Sequence, residues 1–219
     1  MDQTTTAEAE AEVAQLVSEL IAIDSSNFGN DEGPGEAAAA DYVQQRLLEV
    51  GLESERFSTT SDRRQGVYLR IPGKNPERKA LLLHGHLDVV PAPEPDWVHP
   101  AFSGVIDDAG MLWGRGAVDM KDMDGMMLAV IRQWARAGVM PDRDIVALWL
   151  PDEEAGGTHG SGWLVDNRKD MFRGVSDAIG EVGGFSVTLR DDLRMYPIQT
   201  AEKGIAWLRL IAEGTAGHG

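Results

Sequence analysis

The chain has 219 residues, of which 42% are apolar and 26% charged, so it is long enough to bury a substantial core. Its 20 basic and 36 acidic residues give a formal net charge of −16, which argues against a nucleic-acid-binding surface and against binding to anionic membranes. Because the chain has no cysteine, any metal ion must be held by His, Asp and Glu.

The amino-terminal segment, residues 1–12, is polar and acidic and lacks the apolar stretch of a signal peptide. Elsewhere no apolar run approaches the length that crosses a membrane. Most of the acidic residues are expected on a well-solvated surface. We therefore expect a soluble, cytoplasmic protein in which a minority of the carboxylates carry chemistry.

Two helices are predicted near the start of the chain, over residues 7–23 and 36–50. In the first, apolar residues recur three and four positions apart, and the polar run at residues 24–27 ends it. Pro34 precedes the second helix and Gly51 follows it, which is the usual order of these residues around a helix.

The next elements alternate between strands and helices. Apolar runs predict strands at residues 67–71, 80–83 and 145–150, the last of them buried on both faces. Residues 91–116, rich in Pro, Gly and Trp, predict a long structured loop, and residues 123–137 predict a helix. Further predicted elements are a short helix at residues 161–166 and strands at residues 178–179 and 206–212.

This alternation indicates an α/β fold with helices on both faces of the sheet. The helix at residues 123–137 is expected to turn an apolar face toward the core. The residues predicted for that face are Met126, Met127, Val130, Ile131 and Trp134.

Three of the predicted strands end in residue types that bind metals. One leads into His86 and Asp88, a second into the acids at residues 152–154, and a third into Glu181. Asp119 lies just before a helix, between the first two. Because ligands of open α/β sheets lie beyond the carboxyl ends of the strands, we expect these side chains to share one site.

His86 and Asp88 have a spacing suited to a metal ligand and the group that orients it. In an extended chain, positions two apart point the same way. One ring nitrogen of His86 can then face a metal while Asp88, or a group it holds, fixes the other side of the ring. The alternative is a surface His near an Asp in a loop.

Asp119 lies in the stretch Gly-Arg-Gly-Ala-Val-Asp-Met-Lys. A single carboxylate can bridge two metal ions, and the glycines allow the backbone to approach a site closely. One alternative is an N-cap for the helix that follows. Another is a phosphate-binding loop, which this stretch disfavours because it lacks the Walker spacing of Gly and Lys.

Glu153 and Glu154 are adjacent acids after a buried strand, where their repulsion is best compensated by a cation. One can bind a metal while the other acts as a general base. The alternative is an acidic turn, and Glu181, among small neighbours, has the alternative of a plain loop Glu. We assign no ligand role to the remaining histidines of the candidate region, His84, His99 and His159.

Taken together, these segments resemble the co-catalytic zinc amidohydrolases and metallopeptidases, which include aminoacylase, acetylornithine deacetylase, succinyl-diaminopimelate desuccinylase and glutamate carboxypeptidase. The resemblance rests on five stretches, in order along nearly the whole chain. They are Leu-Leu-His-Gly-His-Leu-Asp-Val-Val-Pro, Trp-Gly-Arg-Gly-Ala-Val-Asp-Met-Lys, Asp-Glu-Glu-Ala-Gly-Gly, Gly-Glu-Val-Gly-Gly, and Glu-Lys-Gly-Ile-Ala-Trp followed by Gly-Thr-Ala-Gly-His-Gly.

The resemblance implies a zinc-exopeptidase-like catalytic domain with a mixed, mostly parallel twisted sheet. It also implies that this domain holds two zinc ions, for which cobalt is a possible substitute. His86 and Glu181 would bind the first ion, Glu154 the second, and Asp119 would bridge both. It further implies that the peptide bond between Asp119 and Met120 is cis.

The same resemblance implies catalytic roles for three further residues. Asp88 would orient the metal-binding histidine, Glu153 would be the general base that activates water, and His218 would polarise the substrate carbonyl. The reaction would be hydrolysis of an amide or peptide bond next to a free carboxylate, in an N-acyl amino acid or a short peptide.

Members of this family are considerably longer than the present chain. They add a lid and dimerisation domain and then return to complete the catalytic domain with a last histidine ligand. We therefore expect residues 1–213 to be the amino-terminal part of the catalytic domain, 214–219 to begin a lid, and a full-length version to be a homodimer. A non-catalytic metal-binding or partner-binding remnant and a nucleotide-binding α/β protein are the alternative functions.

Overall fold

The computed structural model describes residues 3–93, 95–181, 186–198, 200–201, 204, 208–214 and 217. The chain divides into two compact units, Met1–Glu181 and Val182–Gly219. Among the described residues, the larger unit contains four α-helices and a five-stranded sheet, and the smaller one contains a two-stranded hairpin. Within the described part of the chain, no helix is both long and apolar enough to span a membrane.

The sheet of the larger unit is mixed. Its strands are β1 (Glu55–Ser58), β2 (Gln65–Ile71), β3 (Ala80–His86), β4 (Ile145–Leu150) and β5 (Val175–Ile179), arranged in the order β1-β2-β4-β3-β5. Strand β3 runs parallel to both β4 and β5, whereas β2 is antiparallel to β1 and β4. The three parallel strands therefore deliver their carboxyl ends to one edge of the sheet.

The helices are α1 (Gln3–Ile21), α2 (Ala37–Leu48), α3 (Lys121–Arg136) and α4 (Ser161–Asn167), and a short 3-10 helix spans Lys169–Phe172. Each α-helix begins and ends within a few residues of its predicted position. The predicted long loop at residues 91–116 is confirmed for its described residues, 91–93 and 95–116, which form no helix or strand beyond an isolated bridge between Ile106 and Leu112.

Both faces of the sheet are covered, as predicted. Side chains of a strand point alternately to its two faces. On one face Ala147 and Trp149 of β4 join the core cluster formed with α1, α2 and α3. On the other, Val146 and Leu148 pack with Leu164 of α4 and the 3-10 helix. Strand β4 is buried almost throughout, which explains its continuous apolar run.

The predicted buried face of α3 is partly wrong. Met127 and Ile131 are buried, but Met126 is 48% exposed and Val130 is 39% exposed. The helix instead turns Leu128 fully inward. The reason lies in α1, whose Val17 packs so closely on α3 that a Cβ at Gly125 would come within 2.4 Å of its Cγ2 atom. This close approach turns the side of α3 that carries Gly125 toward the core.

The smaller unit contains two short strands, β6 (Val187–Arg190) and β7 (Leu193–Met195), which pair as an antiparallel hairpin. Neither strand was predicted, and neither was β1. The strand predicted at residues 206–212 is wrong for its described part, because residues 208–212 form no strand and Leu208 and Leu210 are exposed. A strand needs a partner for its backbone hydrogen bonds, and these described residues have no such pairing.

Candidate metal centre

The predicted site residues of the larger unit come from four places along its chain. His86 is the last residue of β3, Glu153 and Glu154 follow β4, and Glu181 follows β5. Asp119 precedes α3, and its peptide bond to Met120 is cis, as the resemblance implied. Because β3 lies between β4 and β5, the first three segments emerge side by side.

The side chain of His86 is at the centre of these residues. It is only 2% exposed, and its Nε2 atom lies 3.1 Å from Asp119 Oδ1, 3.7 Å from Glu153 Oε2 and 3.9 Å from Glu181 Oε2. The three carboxylate groups are themselves considerably more exposed than the ring. One ring nitrogen therefore faces a group of acids that opens to solvent.

Three of these side chains meet closely enough to hold a metal ion. Among the described residues, one possible ligand atom each from His86, Asp119 and Glu181 lies within 4.8 Å of the other two. An imidazole nitrogen and two carboxylate oxygens are ligand types that zinc takes, and three protein ligands are usual at catalytic zinc sites. The donor set present therefore fits zinc.

Glu154 lies apart from that group. Its Oε1 atom accepts a hydrogen bond from the backbone N–H of Val90 at 3.2 Å. Burial raises the pKa of Glu154 to about 7, and the charge of Asp119 adds to the effect. A half-buried carboxyl that resists ionisation in this way would gain from a cation placed beside it.

The other ring nitrogen of His86 is held by Asp88, although not by its side chain. Nδ1 lies 2.9 Å from the backbone carbonyl oxygen of Asp88 and 3.6 Å from its Oδ1 atom. The carbonyl is thus the nearer acceptor and fixes Nε2 as the nitrogen turned toward the acids. In the structure the main chain of Asp88, and not its carboxylate, is therefore the hydrogen-bond partner of the ring.

The Asp88 carboxylate is fully buried and has different partners. Its two oxygens accept hydrogen bonds from the backbone N–H groups of Glu153 and Glu154, each at 3.0 Å. A third hydrogen bond comes from the side-chain amide of Asn27 at 2.8 Å. Asp88 thereby fixes the backbone from which both adjacent acids project.

The acids also shape the electrostatics of His86. Burial by itself lowers the pKa of the ring, but the charges of Asp88, Asp124 and Glu153 outweigh it and raise the pKa to about 9. The pKa of Glu181 is raised by its burial and by the neighbouring charge of Asp119. Crowded negative charge contributes to both shifts, and a bound cation would relieve it.

Several residues around the site were not singled out from the sequence as functional. Asn27 was interpreted only as part of a helix-breaking run, and Arg64 lies in a polar stretch without a motif. Asp152, which the sequence did place among the acids at the site, is 1% exposed and accepts hydrogen bonds from Asn27 Nδ2 at 3.1 Å and from the backbone N–H of His159 at 2.7 Å. Its φ of 67° lies in the left-handed region, which Asp tolerates better than most residues.

The unassigned histidines stay outside the ligand group. His159 places its Nδ1 atom 3.0 Å from the hydroxyl of Thr60, and the ring of His99 packs against Trp113 with centroids 5.3 Å apart. His84 is not a member of the group either. The predicted carbonyl-polarising residue, His218, lies outside the described residues.

Comparison with known proteins gives consistent relatives. The model of peptidase family M20/M25/M40 matches residues 82–213. Aminoacylase-1 of Sus scrofa is 30% identical over 188 residues, which are 85% of this chain and 44% of that protein. The chain thus spans less than half the length of the curated relatives it matches.

Solved structures support the fold. Human carnosine dipeptidase 1 superposes with a TM-score of 0.66 at 20% identity, covering 81% of this chain and 39% of that one. A dinuclear metal-binding peptidase of family M20 from Bacillus subtilis gives 0.54 at 14% identity, covering 78% of this chain and 42% of that one. The α/β architecture predicted from the sequence is therefore confirmed.

Proposed function

Because the chain belongs to peptidase family M20/M25/M40, we propose that it forms the metal-binding part of a hydrolase. The bond cleaved would be an amide or peptide bond next to a free carboxylate. The observation that carries this proposal is the close meeting of His86, Asp119 and Glu181. The names aminoacylase and dipeptidase, borne by two similar proteins, suggest N-acyl amino acids or short peptides as substrates.

His86, Asp119 and Glu181 would hold a first zinc ion, and Asp119 with Glu154 would contribute to a second. When bound, zinc supplies Lewis acidity, which polarises the scissile carbonyl and lowers the pKa of water. The carbonyl of Asp88 keeps the ring of His86 oriented for this purpose, because it occupies the opposite ring nitrogen at 2.9 Å.

Glu153 is the residue best placed to move the proton. Its Oε2 atom lies 3.7 Å from His86 Nε2, and its side chain is 54% exposed, so it reaches both the site and solvent. In the proposed reaction the Glu153 carboxylate accepts a proton from the attacking water and then gives it to the leaving nitrogen. The backbone N–H of Glu153 is held by Asp88, so the side chain projects from a fixed point of the main chain.

Two further roles rest on the family resemblance alone. His218 would approach the substrate carbonyl from a lid domain that begins near residue 214, and the full-length protein would be a homodimer. Both remain predictions, as does the choice of zinc over cobalt.

The first test is metal uptake by the purified chain. We would titrate the chelator-treated protein with zinc against a chromophoric competitor, using His86→Ala and the control His99→Ala, whose ring packs on Trp113. The proposal expects His86→Ala alone to lose tight uptake. Absence of zinc binding by the unmutated chain would show that the proposal is wrong.

The second test is hydrolysis of N-acetyl amino acids and dipeptides by the zinc-loaded chain. It would be run alone and after mixing with the carboxyl-terminal portion of aminoacylase-1. Turnover that depends on Glu153 supports the proposed hydrolase. Zinc uptake without turnover in either assay favours a non-catalytic metal-binding remnant.

A further inference from the structure

Asn27 uses its whole side-chain amide in hydrogen bonds beneath the candidate metal centre. The residue is 4% exposed. Its Nδ2 atom donates to Asp88 Oδ2 at 2.8 Å and to Asp152 Oδ1 at 3.1 Å. Its Oδ1 atom accepts from Arg64 Nη2 at 2.9 Å and from the backbone N–H of Gly29 at 3.0 Å. Both N–H groups of the amide therefore donate a hydrogen bond, and its oxygen accepts two.

The two carboxylates that Asn27 bridges belong to different segments of the site. Asp88 follows β3 and supplies the carbonyl that orients His86, whereas Asp152 follows β4 and directly precedes Glu153. Both carboxylates are buried, so they would repel each other without a donor between them. The Nδ2 group of Asn27 supplies that donor to both.

The backbone of Asn27 also forms a hydrogen bond with the segment that contains Asp88. Its N–H donates to the carbonyl oxygen of Val89 at 2.8 Å, and Ser26 forms an isolated parallel bridge with Val89. The hydroxyl of Ser25 donates to the carbonyl oxygen of Leu87 at 2.6 Å. The stretch from Leu87 to Val89 is therefore bound to residues 25–27 on both sides of Asp88.

Arg64 fixes the orientation of the Asn27 side-chain amide. Its guanidinium is 1% exposed, and its Nη1 atom lies 2.5 Å from Glu36 Oε1. Burial would lower the pKa of Arg64, but the charge of Glu36 outweighs this and the pKa is raised. A cation of this kind can only donate, so the oxygen of the Asn27 amide must face Arg64 and its NH₂ group must face Asp88 and Asp152.

We propose that Asn27 is a positioning residue of the candidate metal centre, coupling the segment of His86 and Asp88 to the segment of Asp152, Glu153 and Glu154. This inference rests on the proposed function, since it assumes that these segments hold a metal and a general base. Asn27 contacts neither, and it acts through Asp88 and Asp152. Groups that contact a metal's ligands typically change the metal affinity by about 10–100-fold, and Asn27 lies one contact further out, so we expect an effect near the lower end of that range.

The variants for the test are Asn27→Asp, Asn27→Ser and Arg132→Met. Asn27→Asp keeps the shape of the side chain but removes both donors and adds a third buried carboxylate. Arg132→Met is the matched control, because Arg132 is likewise a buried polar residue that joins separate segments, through Glu12 and Glu49, away from the site. All variants would be made in the 219-residue chain.

The measurements are zinc affinity by chelator competition, the visible absorption of the cobalt-substituted chain, and the melting temperature. We expect zinc affinity to fall by about 10-fold in both Asn27 variants, with altered cobalt bands. Arg132→Met should lower the melting temperature while leaving both metal signals unchanged. A merely structural role of Asn27 would move the melting temperature alone.

The outcomes separate this inference from the proposed function. Unchanged zinc affinity and cobalt bands in folded Asn27 variants would overturn the positioning role and leave the hydrolase proposal standing. An equal loss of affinity in Arg132→Met would also overturn it, since general destabilisation would then explain the effect. Should Asn27→Asp fail to fold, Asn27→Ser, which keeps a small hydroxyl donor, supplies the comparison. No zinc uptake by the unmutated chain would overturn both.

Discussion

The carbonyl oxygen of Asp88 lies 2.9 Å from His86 Nδ1, while the carboxylate of the same residue turns away to accept the backbone N–H groups of the two acids after β4. One residue thus serves two segments of the candidate site through two different groups. The carbonyl orients the imidazole, and the carboxylate fixes the backbone of the acids. This division leads directly to a mutational test.

Asp88→Asn should weaken zinc binding far less than His86→Ala. The variant keeps the main-chain carbonyl that orients the ring, and its side-chain oxygen can still accept one of the two backbone N–H groups. We expect a loss of about 10-fold in zinc affinity, near the lower end of the effect of such outer partners. Chelator competition measures both variants. Loss of binding as complete as in His86→Ala would contradict a merely supporting role of the Asp88 carboxylate.

Glu153→Gln and Glu154→Gln should have different consequences. In the proposed site Glu154 binds metal, whereas Glu153 moves the proton, so Glu153→Gln keeps its metal and loses turnover. Glu154→Gln should reduce the metal content. Elemental analysis and the hydrolysis assay of the chain with its complementing portion separate the two. Equal metal loss in both variants would mean that the roles of this pair are misassigned.

Zinc affinity should rise with pH between about 6 and 9. The pKa of His86 is raised to about 9, so the metal-free ring holds a proton at neutral pH that zinc must displace. Glu154, with a pKa raised to about 7, adds a second displaced proton below pH 7. Competition titrations at several pH values give the slope. An affinity that is constant over this range would contradict the proton displacement.

The metal-free chain should lose stability as the pH rises over the same range. A raised folded-state pKa of His86 contributes stability that is complete below its unfolded value near 6.5 and lost as the pH passes about 9. The raised pKa of Glu154 acts in the same direction between about 4.5 and 7. Melting temperatures with and without zinc should therefore diverge with increasing pH. Parallel curves for the two forms would argue against a metal at these groups.

Leu128→Ala should destabilise the larger unit by about 2–5 kcal/mol, because Leu128 is fully buried and its loss leaves a cavity. Met126→Ala, two positions earlier on α3 and 48% exposed, is the control and should cost less than about 0.5 kcal/mol. Urea unfolding of both variants measures the difference. The reverse ranking would support the helix face predicted from the sequence.

The sequence identified the strands and the metal-type residues at their ends because both depend on local pattern. The apolar run at residues 145–150 predicted β4 with its observed bounds, and the strands that precede His86 and Glu181 were also found. The same reasoning missed β1, β6 and β7. These strands have only three or four residues each, too few to show a period.

What only the tertiary structure decided is the set of contacts between distant residues. Arg64 and Asn27 are 37 positions apart, and Asn27 and Asp152 are 125 apart. A polar side chain carries no local sign of its partner, because burial forces it to bond whatever donor or acceptor the packed segments bring beside it. The sequence therefore determined which ligand types stand at the sheet edge. Packing determined which nitrogen of His86 faces the acids, and it placed the buried amide of Asn27 between Asp88 and Asp152.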